Sequence, residues 1–291
     1  MQLFAQQMVF GILIGSLYAL TALGVTVQWR AMSLMCFAYG EFCMLGAFAS
    51  MIFTLDVGLP FWVSFLLSIA LVGLLGAVTE RFIYRPLRDG PLTNPMVAFV
   101  GCSIIIQQLA LIRWGAEGRT FPSPFGEQAI VFAGLRFVPQ YVVTFGVSVV
   151  LMILLDLFLN RTKMGVALRA VSQDRETARL MGINLGRMHA LTLAMTGGLG
   201  AAAGSLYGPM SIVIFNMGML IFLKGFIAAA FGGLGNVRAT ILGGLCFGVI
   251  EQLSAAFVSS LYRDCISFGL MVLIITFKPA GLFGKRLVAK V

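Results

Sequence analysis

The sequence predicts an all-α polytopic membrane protein. Hydrophobic residues make up 59% of its 291 residues and charged residues only 11%, against about 45–50% and about 25% in soluble domains. The apolar residues also fall in long runs, and about 20 of them span a bilayer as a helix. We expect about 8 to 10 transmembrane helices, with about nine as the best count. The runs are 8–28, 32–54, 60–79, 94–113, 139–159, 189–208, 217–233, 239–258 and 264–277.

These nine runs differ in how closely they fit a spanning helix. The first, third, fourth, fifth and sixth are the most regular, and the ninth is short. The second, seventh and eighth are interrupted by Glu41, Lys224 and Glu251, respectively. Because the runs leave no room for a large hydrophilic domain, we expect residues 1–291 to form a single transmembrane domain.

The basic residues set the expected orientation. Nine crossings put the two termini on opposite sides, and about fifteen of the 20 Lys and Arg residues then share the side of the C-terminus. This bias is typical of cytoplasmic loops, and it accounts for the net charge of +9 without nucleic acid. We therefore expect a periplasmic N-terminus, a cytoplasmic C-terminus, a cytoplasmic segment at 160–188 and a periplasmic loop at 114–138.

Patterns of catalytic and metal-binding residues are missing from the sequence. The five cysteines are scattered without a CxxC pair, which argues against a zinc site or a disulfide framework. One histidine, His189, does not make a nucleophile and base pair. The sequence also lacks the G-x-x-x-x-G-K-S/T loop that binds nucleotide phosphates. We therefore expect no enzyme, no metal site and no cofactor in this chain.

Two glycine-rich runs interrupt the apolar pattern. In residues 197–208 the small residues favour close packing of helices, with a helix break as the alternative. In the FGGLGN run, 231–236, a broken or re-entrant helix is favoured, because glycine lets a helix stop where it lines a cavity. The residues that we assign to this break or gate are Gly232, Gly233 and Gly235.

The polar stretch 162–187 predicts one short cytoplasmic helix. Ser172 is expected as its N-cap, and Asp174 and Glu176 place negative charge in the first turn. Gly182 stands where a glycine would end the helix.

Small residues recur along this stretch at helical spacing, which predicts one narrow face that fits the groove of another protein. The alternative is a helix that lies on anionic lipid. The residues of the stripe are Ala167, Ala170, Asp174, Ala178 and Met181.

Ionisable residues within membrane helices are candidate functional groups, because each is costly unless it is paired or faces water. Glu41, Lys224 and Glu251 meet this description. We expect Lys224 to pair with Glu251 or Glu41 beside a translocation pathway and to hold a closed gate. In the alternative, Lys224 extends to the membrane surface and the glutamates accept structural hydrogen bonds.

Several blocks of this sequence resemble the branched-chain amino acid ABC transporter permease family. One block, within 162–187, is similar to the loop through which the family contacts its ATPase. Its matching residues are Gly165, Ala167, Arg169, Ala170, Asp174, Ala178 and Gly182. The resemblance continues in residues 15–27, 37–48, 115–125, 223–253, 262–264 and 278–284.

The resemblance implies a type II-like ABC importer permease in the bacterial inner membrane. Its cargo would be branched-chain amino acids or a related small solute. Implied partners are a second homologous permease, two ATP-binding subunits that hold ATP and Mg, and a periplasmic solute-binding protein. An ion-coupled secondary transporter or channel is the alternative, but it has no need of the docking helix.

The sequence departs from the family near the second apolar run. Family members carry Asn and His where this chain has Cys36 and Tyr39, just before Gly40 and Glu41. We expect Tyr39 to lie on the pathway with Glu41, Lys224 and Glu251. The change removes two polar groups there, which leaves the identity of the substrate open.

Overall fold

The computed structural model describes residues 2–88, 90–126, 128, 130–132, 135–278 and 281–283. Lys285, Arg286 and Lys290, which are among the basic residues assigned to the side of the C-terminus, lie outside this part. Most of the described residues are helical. The described helices are α1 (Gln2–Met32), α2 (Tyr39–Leu55), α3 (Phe61–Thr79), α4 (Arg85–Leu87), α5 (Thr93–Trp114), α6 (Pro139–Arg161), α7 (Lys163–Gln173), α8 (Arg175–Leu180), α9 (Leu185–Tyr207), α10 (Met217–Gly232), α11 (Val237–Phe257) and α12 (Arg263–Phe277).

A π-helical turn, Glu80–Tyr84, joins α3 to α4, so that Phe61–Leu87 is one continuous helical stretch. Strand β1 (Arg119–Thr120) pairs antiparallel with β4 (Ile212–Val213), and β2 (Ile130–Phe132) pairs antiparallel with β3 (Leu135–Phe137). Three of these strands lie in the predicted loop 114–138, of which residues 127, 129, 133 and 134 are outside the described part.

A helix of the described chain coincides with each of the nine predicted apolar runs. Among the described residues, five stretches are long and apolar enough to cross a membrane, and α2 and α10 are shorter apolar helices. The protein is therefore a multi-pass membrane protein, while nine crossings and their orientation stay predictions. The five long stretches are Gln2–Met32, Phe61–Leu87, Thr93–Trp114, Pro139–Arg161 and Val237–Phe257.

The chain forms two compact units, each assembled from separate stretches of sequence. The first unit comprises Met1–Thr26, Phe125–Met152 and Lys224–Val291, and the second comprises Val27–Pro124 and Ile153–Leu223. The expectation of a single domain over 1–291 stays a prediction.

Close backbone contact holds the second unit together where α2, α3 and α9 meet. A Cβ atom at Gly204 would overlap the carbonyl of Cys43, and one at Gly46 would overlap the backbone of Ala201. Ser205 donates to the Gly46 carbonyl at 3.0 Å and shares a 2.9 Å hydrogen bond with Ser68. Because 197–208 begins inside a continuous α9, its glycines serve helix packing, as the sequence favoured.

The first unit uses the same device between α1 and α11. A Cβ atom at Gly248 would overlap the backbone of Gly15, and one at Gly11 would overlap the backbone of Val249. This contact fixes α11 against α1, and α11 in turn positions the buried carboxylate described next.

Candidate transport site and coupling segment

Four charged side chains meet in the first unit. Lys224, on α10, approaches Glu251, on α11, with 2.7 Å between Nζ and Oε1. Arg263, the first residue of α12, forms a second ion pair with the same oxygen, at 2.8 Å from its Nε. The Oδ1 atom of Asp264 lies 3.1 Å from Nζ of Lys224. We call these four residues the charge cluster.

Exposure increases steadily across the charge cluster. The Glu251 side chain is 0% exposed, that of Lys224 18%, that of Arg263 31% and that of Asp264 55%. Tyr18, on α1, completes one side: its hydroxyl lies 3.4 Å from Arg263 Nη2, and its ring centroid lies 5.7 Å from Lys224 Nζ. A buried carboxylate needs such compensation, because removing a charge from water costs several kcal/mol unless it is paired.

Lys224 is thus directed at Glu251 in the structure. The two glutamates that the sequence offered as partners have different surroundings, because Glu41 lies in the second unit and accepts a 3.2 Å hydrogen bond from Ser103 on α5. Its neighbour Tyr39 is fully buried, with its ring centroid 6.4 Å from that of Phe222. A pathway role for Tyr39, Glu41, Lys224 and Glu251 stays a prediction.

The FGGLGN run lies at the junction of α10 and α11. Helix α10 ends at Gly232, and Gly233 and Gly235 take φ values of +118° and +90°, a region that side chains other than glycine rarely adopt. Asn236 then caps α11 by accepting a hydrogen bond from the Ala239 amide at 3.3 Å. The chain therefore stops one helix and starts another here.

The segment 281–283 satisfies the open end of α10. The amide of Leu282 donates to the Phe231 carbonyl at 2.8 Å, and that of Phe283 donates to the Gly232 carbonyl at 3.2 Å. These carbonyls would otherwise have no partner at a helix end. The glycines at 233 and 235 and the segment 281–283 thus form the helix break together. Its role as a gate stays a prediction.

The polar stretch forms two helices, so the prediction of one helix capped by Ser172 is wrong. Asp174 has extended backbone angles and separates α7 from α8. Its Oδ1 accepts hydrogen bonds from the amides of Glu176 at 2.9 Å and Thr177 at 3.2 Å, which makes Asp174 the N-cap of α8. Ser172 lies inside α7, where its hydroxyl donates to the Arg169 carbonyl at 2.7 Å.

The predicted stripe of small residues is also wrong as one continuous face, since the break at Asp174 interrupts the helical spacing. Ala178 is buried, at 3% exposure, whereas Leu180 and Met181 are 87% and 78% exposed. Two large apolar side chains are therefore exposed at the C-terminal end of α8, next to the exposed polar residues Glu176, Thr177 and Arg179.

The end of α8 agrees with the prediction for Gly182. This residue has φ +82°, its amide donates to the Arg179 carbonyl at 3.0 Å, and the Ile183 amide donates to the Ala178 carbonyl at 3.1 Å. This pair of bonds is the Schellman motif. Gly182 thus ends α8 and turns the chain toward α9.

The remaining residues that we predicted for ATPase coupling lie in α7. A Cβ atom at Gly165 would overlap the backbone of Phe158 and Leu159, so glycine allows α7 to fold back on the end of α6. Arg169 contacts Asn160 through two 3.5 Å hydrogen bonds, and Ala170 is half-buried. A role of Gly165, Arg169 and Ala170 in ATPase coupling stays a prediction.

Two kinds of contact hold α8 in place. Arg175 donates to the Met32 carbonyl at the end of α1. The Thr177 hydroxyl and the two amides that donate to Asp174 hold the pKa of this exposed carboxyl below its ordinary value. Helix α8 is therefore short but anchored at its first residues.

Sequence reasoning missed Arg263 and Asp264 as members of the charge cluster. The signal was the stretch Tyr262, Arg263 and Asp264 at the start of the ninth apolar run, which also resembles the family. No spacing rule relates this stretch to Glu251, because the contact depends on how α12 turns back on α11.

Comparison with known proteins gives consistent matches. The family model described as "Branched-chain amino acid transport system / permease component" matches residues 7–275. A high-affinity branched-chain amino acid transport system permease protein, LivH of Escherichia coli K12, is 33% identical over 99% of this chain and 98% of its own. The LivM permease protein of the same system name and strain is 25% identical over 91% of this chain and 67% of its own.

One solved structure has a similar fold. PsaBC from Streptococcus pneumoniae, in complex with Fab, matches with a TM-score of 0.50 and 16% identity. The match covers 95% of this chain and 92% of that one. At this identity the likeness concerns the fold alone.

Proposed function

The chain belongs to the branched-chain amino acid transport permease family, and from that premise we propose that it is the permease subunit of an ATP-driven ABC importer for branched-chain amino acids. The α7–Asp174–α8 segment is the observation that carries the proposal. It presents an anchored short helix with exposed Leu180 and Met181, a form that suits docking into a groove of another protein. The ion-coupled alternative is not supported by the relatives.

The coupling mechanism follows from how α8 is held. Arg175 joins α8 to the end of α1, and Asp174 and Gly182 fix its two ends. A movement of a bound ATPase would therefore be transmitted to α1 as well as to α9, which follows α8 directly. ATP and Mg would be held by two partner ATP-binding subunits.

We assign the transported solute to a pathway beside the charge cluster and the glycine break. Breaking the Lys224–Glu251 pair would remove an ionic contact between α10 and α11, and the glycines at 233 and 235 give the backbone between the two helices freedom to move. Under the predicted orientation the charge cluster lies on the periplasmic side, where a solute-binding protein would deliver its cargo in the inner membrane of a bacterium.

The second permease would be a homologue of this chain. Two permease proteins of one strain, LivH and LivM, both match it, and LivH matches more closely. This chain would therefore take the LivH-like position in a heterodimer.

Substitutions in the coupling segment test the proposal. Arg169→Ala and Asp174→Ala are expected to abolish ATP-dependent leucine uptake into proteoliposomes that contain the assembled importer. Asp174→Asn is the matched variant, because its amide oxygen can still accept the capping bonds, and it is expected to retain uptake. Wild-type uptake in both alanine variants would overturn the docking assignment.

A further inference from the structure

The charge cluster leaves polar capacity unused where its charges are most deeply buried. Both cations contact the Oε1 atom of Glu251, while its Oε2 atom is buried and has no hydrogen-bond partner among the described residues. A static ion pair would normally satisfy both oxygens, since an unsatisfied buried acceptor is costly.

Lys224 and Arg263 also carry N–H groups that take no part in these contacts. The contacts of Arg263 use two of the three guanidinium nitrogens, and an ammonium has three protons, of which Lys224 uses two for its two carboxylate partners. Arg263 and Asp264 are the more exposed members, so one positive and one negative group of the charge cluster are partly accessible.

Two cations and two carboxylates make the charge cluster neutral but strongly polarised. A simple anion would meet repulsion from Asp264, and a simple cation would meet repulsion from Arg263. A small molecule with both charges a few ångströms apart satisfies both groups at once, and bidentate contact with a carboxylate is the geometry that a guanidinium favours.

From this arrangement we propose that the charge cluster is a transit site for the zwitterionic head group of an α-amino acid. Arg263 binds the α-carboxylate, Asp264 receives the α-ammonium, and the ammonium then moves inward to Oε2 of Glu251. This inference rests on the proposed function, and it adds that the permease recognises the head group shared by amino acids and leaves the side chain to other surfaces.

Ligand binding to the permease and ATPase subunits in nanodiscs, without the solute-binding protein, tests the site without requiring any variant. Saturation-transfer NMR compares L-leucine with leucinamide, which lacks the carboxylate, and with 4-methylpentanoate, which lacks the ammonium. The expected leucine signal is at least threefold above that of either analogue. Equal signals for the three compounds, or no leucine signal, would overturn the proposal.

Variants then assign the binding to this site. Arg263→Gln and Asp264→Asn are expected to lower the leucine signal at least twofold. Arg119→Gln and Asp56→Asn, at exposed residues of the second unit, are the matched controls and should leave it unchanged. An unchanged signal in both cluster variants would overturn the assignment.

Uptake by the same wild-type subunits, reconstituted into proteoliposomes together with the solute-binding protein, separates the two proposals. If ATP drives leucine uptake but the NMR signals show no preference for the zwitterion, the head-group site is wrong and the importer stands. If ATP drives no uptake of any branched-chain amino acid, the proposed function itself fails.

Discussion

Glu251 and Glu41 are both buried glutamates in apolar helices, yet their surroundings differ in kind. Glu251 contacts two cations through one oxygen, whereas Glu41 accepts one hydrogen bond from Ser103. The sequence presents the two as equivalent interruptions of apolar runs. In this protein one such residue is the centre of an ionic network, and the other makes a polar contact between two helices.

The largest expected effect comes from neutralising the carboxylate of the ionic network. Glu251→Gln leaves Lys224 and Arg263 without their shared buried partner, and breaking a buried pair in this way costs about 3 kcal/mol. We expect a marked fall in the Tm of the purified subunit in detergent and a loss of uptake. A Tm equal to that of the wild type would remove the energetic distinction between the two glutamates.

Exchanging the charges of the pair sharpens the comparison further. Lys224→Glu and Glu251→Lys are each expected to impair uptake and to lower the free energy of unfolding. If the two groups interact directly, the free energy of unfolding of the double variant should be about 2 kcal/mol higher than the sum of the two single losses predicts. Recovery will be incomplete because Arg263 and Asp264 keep their original charges. A double variant no better than either single variant would exclude direct pairing as the important interaction.

Glu41 is expected to be far less sensitive. Glu41→Gln keeps an oxygen that can accept from Ser103, and Ser103→Ala removes one hydrogen bond, so each change should cost about 1 kcal/mol or less. Thermal unfolding of both variants beside Glu251→Gln measures the difference. If Glu41→Gln destabilises the protein as much as Glu251→Gln does, Glu41 has a charged partner outside this subunit.

The sequence predicted the helical membrane fold well, because hydrophobicity and glycine spacing act locally along each run. It located the helix break at Gly233 and Gly235 and the glycine end of α8 at Gly182, since both depend on positive φ. It failed where contacts join distant residues, as in the pairing of Arg263 with Glu251.

Competition between neighbouring caps explains the error at Ser172. Both Ser172 and Asp174 are acceptable N-caps by residue type. Asp174 is followed by Thr177, whose hydroxyl and amide both donate to its carboxylate, and this favours a cap two residues later. The shift divides the polar stretch into α7 and α8 and exposes Leu180 and Met181 in place of the small residues.

Asp174 is a carboxylate exposed to water, in contrast to the two buried glutamates. Its protonation is expected to have the smallest effect on stability of the changes considered. The Thr177 hydroxyl, followed by the amide donors, lowers its pKa in the folded state. Its capping contribution is therefore fully present above the ordinary carboxyl pKa of about 3.9 and is lost as pH falls through the lower folded value. We expect amide hydrogen exchange of 175–180, corrected for intrinsic rates, to show weakened protection only below about pH 4.

Asp174→Asn removes the titrating group and should abolish this dependence, and Thr177→Val should move its onset to higher pH. Equal pH profiles in wild type and Asp174→Asn would show that α8 is held by Arg175 and Gly182 rather than by its charged cap.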